Sequence, residues 1–130
     1  MNEELRSLIA YRLKEADDSL AEASVLLREG MSMRAVMNRL YYAMFYAVLA
    51  LLQNKHLGTS KHAGAIALFD REYVKGGALD SKFSKTLHRA FELRQKGDYM
   101  EQSEIIQADI DEMLPAATEF VAEAKRYLLI

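Results

Sequence analysis

The residues best suited to chemistry lie together between Asn38 and Tyr46. Arg39, Tyr42 and Tyr46 follow one another at spacings of three and four residues, which places them on one face of a helix. An Arg guanidinium can pair with phosphate oxygens, and aromatic rings can stack on bases. Tyrosines of a central helix are also common core residues, and an Arg can be a paired structural charge, so both interpretations stay open. In the functional interpretation, Asn38, Arg39, Tyr42 and Tyr46 bind a nucleotide or RNA.

A second candidate group lies in the segment from Arg94 to Tyr99. Asp98 could orient Arg39 or Arg94 through a charge-assisted hydrogen bond, which adds Arg94 and Asp98 to the candidate nucleotide- or RNA-binding residues. The alternative is structural, since Gly97 could end a helix and Asp98 could cap the segment that follows.

Neither a metal site nor a cofactor is expected. The chain has no Cys, and its three histidines (His56, His62 and His88) form no pair on one helix face. His62 falls in the first turn of a short helix, where the helix dipole disfavours imidazolium, so we expect a neutral ring with a local hydrogen bond. The glycines at 58 and 64 lack the Lys and Ser/Thr of a phosphate-binding loop.

The overall charge does not favour electrostatic binding to nucleic acid. The 130 residues carry a net charge of −2 with a pI near 5.9, so any contact with RNA or DNA has to be local. Length and a hydrophobic fraction of 51% predict one globular domain over residues 1–130. The N-terminus is acidic, unlike a signal peptide, and the longest apolar stretch, Leu40 to Leu52, is shorter than a membrane-spanning helix. We therefore expect a cytoplasmic protein with no membrane partner.

Hydrophobic residues recur at helical spacing along the chain, and no segment alternates with a period of two. This pattern predicts an all-α fold, an antiparallel four-helix up-down bundle with an additional short helix. The second helix is apolar nearly all round, which is typical of a central helix or an oligomer interface. The expected helices span about Glu3–Arg28, Met33–Gln53, Lys61–Tyr73, Ser81–Lys96 and Glu101 or Ser103 to Leu128.

Several residues predict where these helices begin and end. Gly30 is expected to end the first helix, and Ser32 and Ser60 are expected to cap the N-termini of the second and third. Pro115 lies within the fifth hydrophobic pattern. Because proline removes a backbone hydrogen bond, we expect a kink or break near residues 111–114.

Charge is unevenly divided between the last two helices. The fourth is basic and the fifth is acidic, which favours complementary faces that pack together. The alternative is a phosphate-facing groove along the fourth helix. The basic residues are Lys82, Lys85, Arg89, Arg94 and Lys96, and the acidic ones are Glu101, Glu104, Asp109, Asp111, Glu112 and Glu119.

Three blocks of sequence resemble one known family. The runs NRLYYAMFYAVLALL, SKHAGAIALFDREYVKGG and AFELRQKGDY, in this order over about residues 8–126, resemble the prokaryotic HEPN-domain family in its small UPF0332-type branch. The resemblance implies an antiparallel bundle of four or five helices that usually dimerises. It also implies a metal-independent ribonuclease, or a partner of a minimal nucleotidyltransferase, often in a toxin–antitoxin pair.

The ribonuclease motif of that family is only half present. Its Arg falls on Arg39, whereas its His, at the longest spacing, falls on Tyr46. A tyrosine with a reference pKa of about 10 is almost fully protonated at neutral pH and is a poor general base. The tyrosine that the partner transferase modifies in the toxin branch falls on Val48. Arg39 and Tyr46 are therefore candidate catalytic residues only if the protein is a ribonuclease.

Three functions remain open. The first is a dimeric nucleotide- or RNA-binding subunit that acts with a small nucleotidyltransferase in a toxin–antitoxin setting. The second is a metal-independent ribonuclease toxin in which Arg39 stabilises the cyclising phosphate and Tyr46 moves protons. His62 or His88, brought close by folding, is a less favoured proton carrier in that case. The third is a purely structural helical dimer. We favour the first, because Tyr46 stands where the family has its His.

Overall fold

The protein is described by a computed structural model over residues 2–99 and 104–128, with the side chains of residues 97–99 outside that description. No strand occurs in these residues, and the helices form a bundle, which confirms the all-α prediction. The elements are α1 (Glu3–Arg28), α2 (Met33–Asn54), α3 (His62–Phe69), a π-helical turn (Asp70–Val74), α4 (Ser81–Tyr99) and α5 (Gln107–Leu128).

The first two helices begin and end as the sequence predicts. The side chain of Asn2 accepts a hydrogen bond from the backbone N–H of Leu5 at 2.7 Å and caps α1. Gly30 follows α1 with a φ of 71°, a conformation that glycine adopts without steric cost. The hydroxyl of Ser32 accepts from the N–H of Ala35 at 3.1 Å and caps α2.

Helix α2 lies at the centre of the bundle, as its apolar circumference predicts. It packs against α1, α3, α4 and α5. Its buried side chains form the middle of the core, and those that remain half-exposed include the proposed ligand-binding residues. The buried residues are Val36, Met37, Leu40, Tyr41, Ala43, Met44, Phe45, Ala47, Val48, Ala50, Leu51 and Leu52.

The length and hydropathy of α2 alone would let it cross a membrane. Among the described residues it is the one helix that meets those criteria, and 67% of its most apolar window is buried inside the protein. Burial of this kind is what the core helix of a bundle requires.

The third helix differs from its prediction at both ends. The cap expected from Ser60 is wrong: Lys61 occupies the N-cap position and no side chain caps the helix. The hydroxyl of Thr59 instead accepts from the N–H of Lys61 at 3.3 Å. After Phe69 the chain widens into the π-helical turn, and the buried Tyr73 in that turn donates its hydroxyl to the carbonyl of Leu51. This contact ties the turn to α2.

The end of α4 and the start of α5 also differ from the prediction. Helix α4 continues through Gly97 to Tyr99, because a glycine inside a helix costs only about 1 kcal/mol and does not have to end it. Helix α5 begins at Gln107, later than predicted, since residues 104–106 are not helical. The N–H of Ile106 donates to the carboxylate of Asp109 at 2.9 Å, which fixes the start. The predicted starting residues 101 and 103 lie outside the described residues.

The break predicted at Pro115 does not occur. Helix α5 runs without interruption from Gln107 to Leu128. The missing N–H of Pro115 leaves the carbonyl of Asp111 without its helical partner. Asp111 is an exposed residue, so water can satisfy that carbonyl.

Opposite charges on α4 and α5 pair across their contact. Lys82 lies 2.6 Å from Glu119, and Arg89 lies 3.7 Å from Asp109 and 3.6 Å from Glu112. For these residues the structure bears out complementary packed faces. Arg94, near the end of the same helix, takes part in a different arrangement.

Candidate nucleotide- or RNA-binding surface

The structure brings Arg39, Tyr42 and Tyr46 together along one side of α2. The guanidinium carbon of Arg39 lies 5.1 Å from the ring centre of Tyr42, a cation–π distance. The ring centres of Tyr42 and Tyr46 are 5.8 Å apart, and the rings are tilted by 42°. All three residues are half-buried. They therefore form a continuous cationic and aromatic strip that both packs on the core and contacts solvent.

Arg39 has partners that the sequence did not indicate. Its Nη1 lies 3.2 Å from a carboxylate oxygen of Glu22 on α1, and its Nε and Nη2 donate to the side-chain oxygen of Asn38 at 3.3 and 3.2 Å. The Arg39 side chain is 28% exposed and that of Glu22 is 55% exposed. The predicted partner Asp98 lies outside the described side chains. Arg39 is thus oriented by Glu22 and Asn38 at the edge of solvent.

Three surface clefts meet at Arg39. Their volumes are about 300, 470 and 290 Å³, and Arg39 lines each of them. The first lies towards α1 and carries three carboxylates, Glu15, Asp18 and Glu22, against Lys14 and Arg39. This excess of negative charge disfavours a phosphate on the α1 side of Arg39.

Arg94 supplies a second guanidinium on the α4 side of Tyr42. Its Nη2 lies 3.5 Å from the Tyr42 hydroxyl, which accepts the hydrogen bond. Its guanidinium carbon lies 5.5 Å from the ring centre of Tyr42 and 5.6 Å from that of Tyr41. Tyr42 is therefore in contact with two arginines from two helices. Five of the six candidate binding residues, Asn38, Arg39, Tyr42, Tyr46 and Arg94, form one connected group.

His62 joins the same group from α3. Its Nδ1 lies 2.8 Å from the Tyr41 hydroxyl, and its ring stacks on Phe45 with centres 4.1 Å apart and planes 7° from parallel. The ring of Tyr42 is nearly perpendicular to that of His62, with ring centres 5.7 Å apart. Burial, followed by the charge of Arg94, lowers the pKa of His62 below its usual value, so the ring is neutral as the sequence analysis expected. The hydrogen bond is not local, however, because Tyr41 lies on another helix.

The other two histidines do not enter this group. His88 on α4 lies 2.6 Å from the carboxylate of Asp70 in the π-helical turn, and His56 follows α2 in an exposed position with a φ of 58°. Over residues 2–99 and 104–128 there is no group of three or more His, Cys, Asp and Glu side chains able to hold a metal ion.

Comparison with known proteins identifies the family. The HEPN domain model matches residues 9–127. The chain belongs to the HEPN domain family. A UPF0332 protein of Thermotoga maritima is 38% identical over 121 residues, which cover 93% of this chain and 90% of the relative.

Two further relatives come from Methanocaldococcus jannaschii. The protein named "Putative toxin MJ0142" is 33% identical over 117 residues, which cover 90% of this chain and 79% of the relative. The protein named "Putative toxin MJ0605" is 32% identical over 99 residues, which cover 76% of this chain and 73% of the relative.

Two positions of this HEPN domain depart from what the family resemblance implies. At Tyr46, burial and then the nearby carboxylate of Glu15 raise the pKa of the phenol, with Arg39 acting in the opposite direction. A raised pKa leaves even less of Tyr46 in the ionised form that could accept a proton at neutral pH than in a free tyrosine. At Val48 the side chain is fully buried in the core, so this position has neither a hydroxyl nor access for a modifying enzyme.

Proposed function

We propose that this HEPN protein binds a nucleotide or RNA at the surface formed by Asn38, Arg39, Tyr42, Tyr46 and Arg94. The observation that carries the proposal is the contact of two guanidiniums, Arg39 and Arg94, with one tyrosine ring. Each guanidinium can pair with a phosphate, and the aromatic ring between them can stack on a base, so the arrangement suits a ligand that has phosphates on either side of a base.

Arg39 can exchange its present partner for a phosphate. Glu22 is more than half exposed, and ion pairs of this kind contribute about 0–1 kcal/mol. A phosphate can accept two hydrogen bonds from one guanidinium, so it competes well with a single carboxylate contact. The Asn38 side chain continues to orient Arg39 during the exchange.

The direction of approach follows from the charges around the strip. The carboxylates of Glu15, Asp18 and Glu22 repel a phosphate chain on the α1 side, whereas Arg94 attracts it on the α4 side. RNA is therefore expected to cross Tyr42 from the α4 side. This local arrangement is compatible with the small negative net charge of the chain.

The cellular setting proposed is a toxin–antitoxin pair with a small nucleotidyltransferase, in which this chain is a homodimeric binding subunit. The names of the two Methanocaldococcus relatives support the toxin setting. The nucleotidyltransferase partner and the dimer rest on the family resemblance. The dimer contact is proposed on the half-exposed side of α2 at Leu49, so that the binding residues border the contact and are not covered by it.

The test is binding of a single-stranded RNA oligonucleotide and of a mononucleotide to wild type, Arg39→Ala and Arg94→Ala. Each substitution should weaken binding about tenfold, since each removes a charge-assisted contact. Arg126→Ala is the control for the loss of one positive charge elsewhere, because Arg126 also pairs with a Glu, namely Glu123, but lies on α5. Equal affinity of all four proteins, or no binding at all, would contradict the proposal.

A metal-independent ribonuclease toxin is the second candidate. The toxin names of two relatives favour it. The absence of a His at position 46 and the raised pKa of the Tyr46 phenol weigh against it. Cleavage of the same RNA in EDTA by wild type, lost in Arg39→Ala, would favour this second candidate.

A further inference from the structure

The hydrogen bond between Tyr41 and His62 has a defined direction. Tyr41 is fully buried, and burial raises the pKa of its phenol, so the hydroxyl keeps its proton. Over the described residues, Nδ1 of His62 is the acceptor within reach of that hydroxyl, at 2.8 Å. The neighbouring Arg94 guanidinium can only donate. Tyr41 therefore donates its O–H to Nδ1.

This direction fixes the tautomer of His62. A neutral imidazole carries one N–H, so a ring that accepts at Nδ1 carries its hydrogen at Nε2. Nε2 forms no hydrogen bond to the described residues and is not one of their buried polar atoms that lack a partner. Nε2–H is thus available to a ligand as a donor.

The orientation of the ring is also fixed. Phe45 stacks on one face with ring centres 4.1 Å apart, and the ring of Tyr42 is nearly perpendicular to the imidazole with centres 5.7 Å apart. Tyr42 is the same residue that accepts a hydrogen bond from Arg94. A neutral N–H donor and a guanidinium therefore border one tyrosine, which is a suitable arrangement for an anion.

We infer that His62 is a fixed hydrogen-bond donor that, together with Arg94, binds a phosphate oxygen of the RNA or nucleotide. The inference rests on the proposed function and gives it a further ligand contact. It also excludes His62 as the general base of the ribonuclease alternative, because Nδ1 is occupied by Tyr41 and Nε2 already carries a proton. His62 binds and orients the phosphate of the ligand, and it does not accept the proton of a ribose hydroxyl.

The tautomer is tested on the free full-length protein by NMR with ¹⁵N-labelled histidine at pH 7. The His62 signals, assigned by their loss in His62→Gln, should report a hydrogen on Nε2. Tyr41→Phe removes the donor and should shift His62 towards a mixture of tautomers, while His56 and His88 remain as internal controls. A hydrogen on Nδ1 in wild type would overturn the inference, because Nε2 would then be an acceptor.

The ligand contact is tested with the single-stranded RNA oligonucleotide and with inorganic phosphate. His62→Phe preserves a stacking ring but has no donor, and it should weaken RNA binding about tenfold. His62→Gln retains an N–H donor and should stay within about threefold of wild type. Weaker phosphate binding by His62→Phe would assign the contact to phosphate itself.

The outcomes distinguish this inference from the proposed function. Wild-type RNA affinity in His62→Phe, combined with a loss in Arg94→Ala, would overturn the role of His62 and leave RNA binding in place. Unchanged affinity in Arg39→Ala and Arg94→Ala would overturn the proposed surface instead. The tautomer measurement needs no ligand, so it tests the Tyr41–His62 bond in either case.

Discussion

The guanidinium of Arg39 on α2 lies 3.2 Å from the carboxylate of Glu22 on α1. If Arg39 binds a phosphate as proposed, the ligand has to compete with this carboxylate for the guanidinium. Under the proposed function, Glu22 is therefore expected to act on ligand affinity in the opposite sense to Arg39.

Glu22→Gln should strengthen binding of the RNA oligonucleotide by up to about fivefold. The amide removes a competing charge, and an exposed ion pair of this kind contributes about 1 kcal/mol at most. The matched control is Glu119→Gln, because Glu119 is exposed to a similar degree and pairs with Lys82 away from Arg39. Titration of both variants in low salt measures the difference. Weaker RNA binding by Glu22→Gln would show that Glu22 does not compete with the ligand.

Arg39→Ala should lower the free energy of unfolding by about 1 kcal/mol or less. Its partner Glu22 is 55% exposed and stays hydrated when the guanidinium is removed, so no buried charge is left without a partner. Urea unfolding of Arg39→Ala and Arg126→Ala measures the cost. Thermal unfolding of wild type with millimolar mononucleotide should show an upward shift that Arg39→Ala lacks. A loss of about 3 kcal/mol or more, without a nucleotide shift in wild type, would make Arg39 a structural residue.

The sequence predicts the helices best where their signals are local. Gly30 and Ser32 act within one turn of the helix ends that they define, and α1 and the start of α2 match the prediction. Gly97 does not end α4 and Pro115 does not break α5, because packing of the two helices outweighs a cost of a few kcal/mol at one residue. A weak local signal therefore does not fix a boundary in a packed helix.

The candidate site is predictable only in part, because the sequence indicates contacts within one helix but not contacts between helices. The contacts among Arg39, Tyr42 and Tyr46 follow from helical periodicity within α2. Glu22 and His62 reach this group from α1 and α3, and no pattern in the sequence specifies which turn of one helix faces which turn of another. Arg94 was a candidate from the basic character of its helix, but its contact with Tyr42 requires the folded chain.

Wild-type protein should show little cleavage of RNA in EDTA, and Tyr46→His should raise the rate by roughly tenfold or more. A histidine near its reference pKa can exchange protons at neutral pH, whereas the Tyr46 phenol, with its raised pKa, cannot. Tyr46→Phe controls for loss of the phenol and should not raise the rate. Fast EDTA-resistant cleavage by wild type that disappears in Arg39→Ala would show that the protein is a ribonuclease and would contradict a binding function without cleavage.

The protein should be a homodimer at micromolar concentration, with twice the chain mass of 14.8 kDa by light scattering. The expected contact is on the half-exposed side of α2 at Leu49, beside the strip of Tyr42 and Tyr46, which is left open to the ligand at the edge of the contact. Leu49→Arg should shift the protein to monomer, since a charge would be buried in the contact. Ile106→Arg, at an exposed position before α5, is the control and should leave the dimer intact. A wild-type monomer, or a dimer that persists in Leu49→Arg, would contradict this interface.

Stability should fall in mild acid partly because of His62. The folded state holds the pKa of His62 below its usual 6.5, through burial and the charge of Arg94, so the unfolded chain binds more protons in this range. The contribution of the neutral ring is therefore complete above pH 6.5 and is lost as the pH falls through the lowered pKa. Urea unfolding of wild type and His62→Gln from pH 8 to pH 5 gives the free energy of unfolding of each protein at each pH. The difference between the two pH dependences is the contribution of His62, because the titration of the carboxylates is common to both proteins and cancels. His62→Gln should lose less stability than wild type below pH 6.5, even if it is less stable at pH 8. Parallel curves would mean that His62 has the same pKa in the folded and unfolded chain, and that burial and Arg94 do not hold the ring neutral.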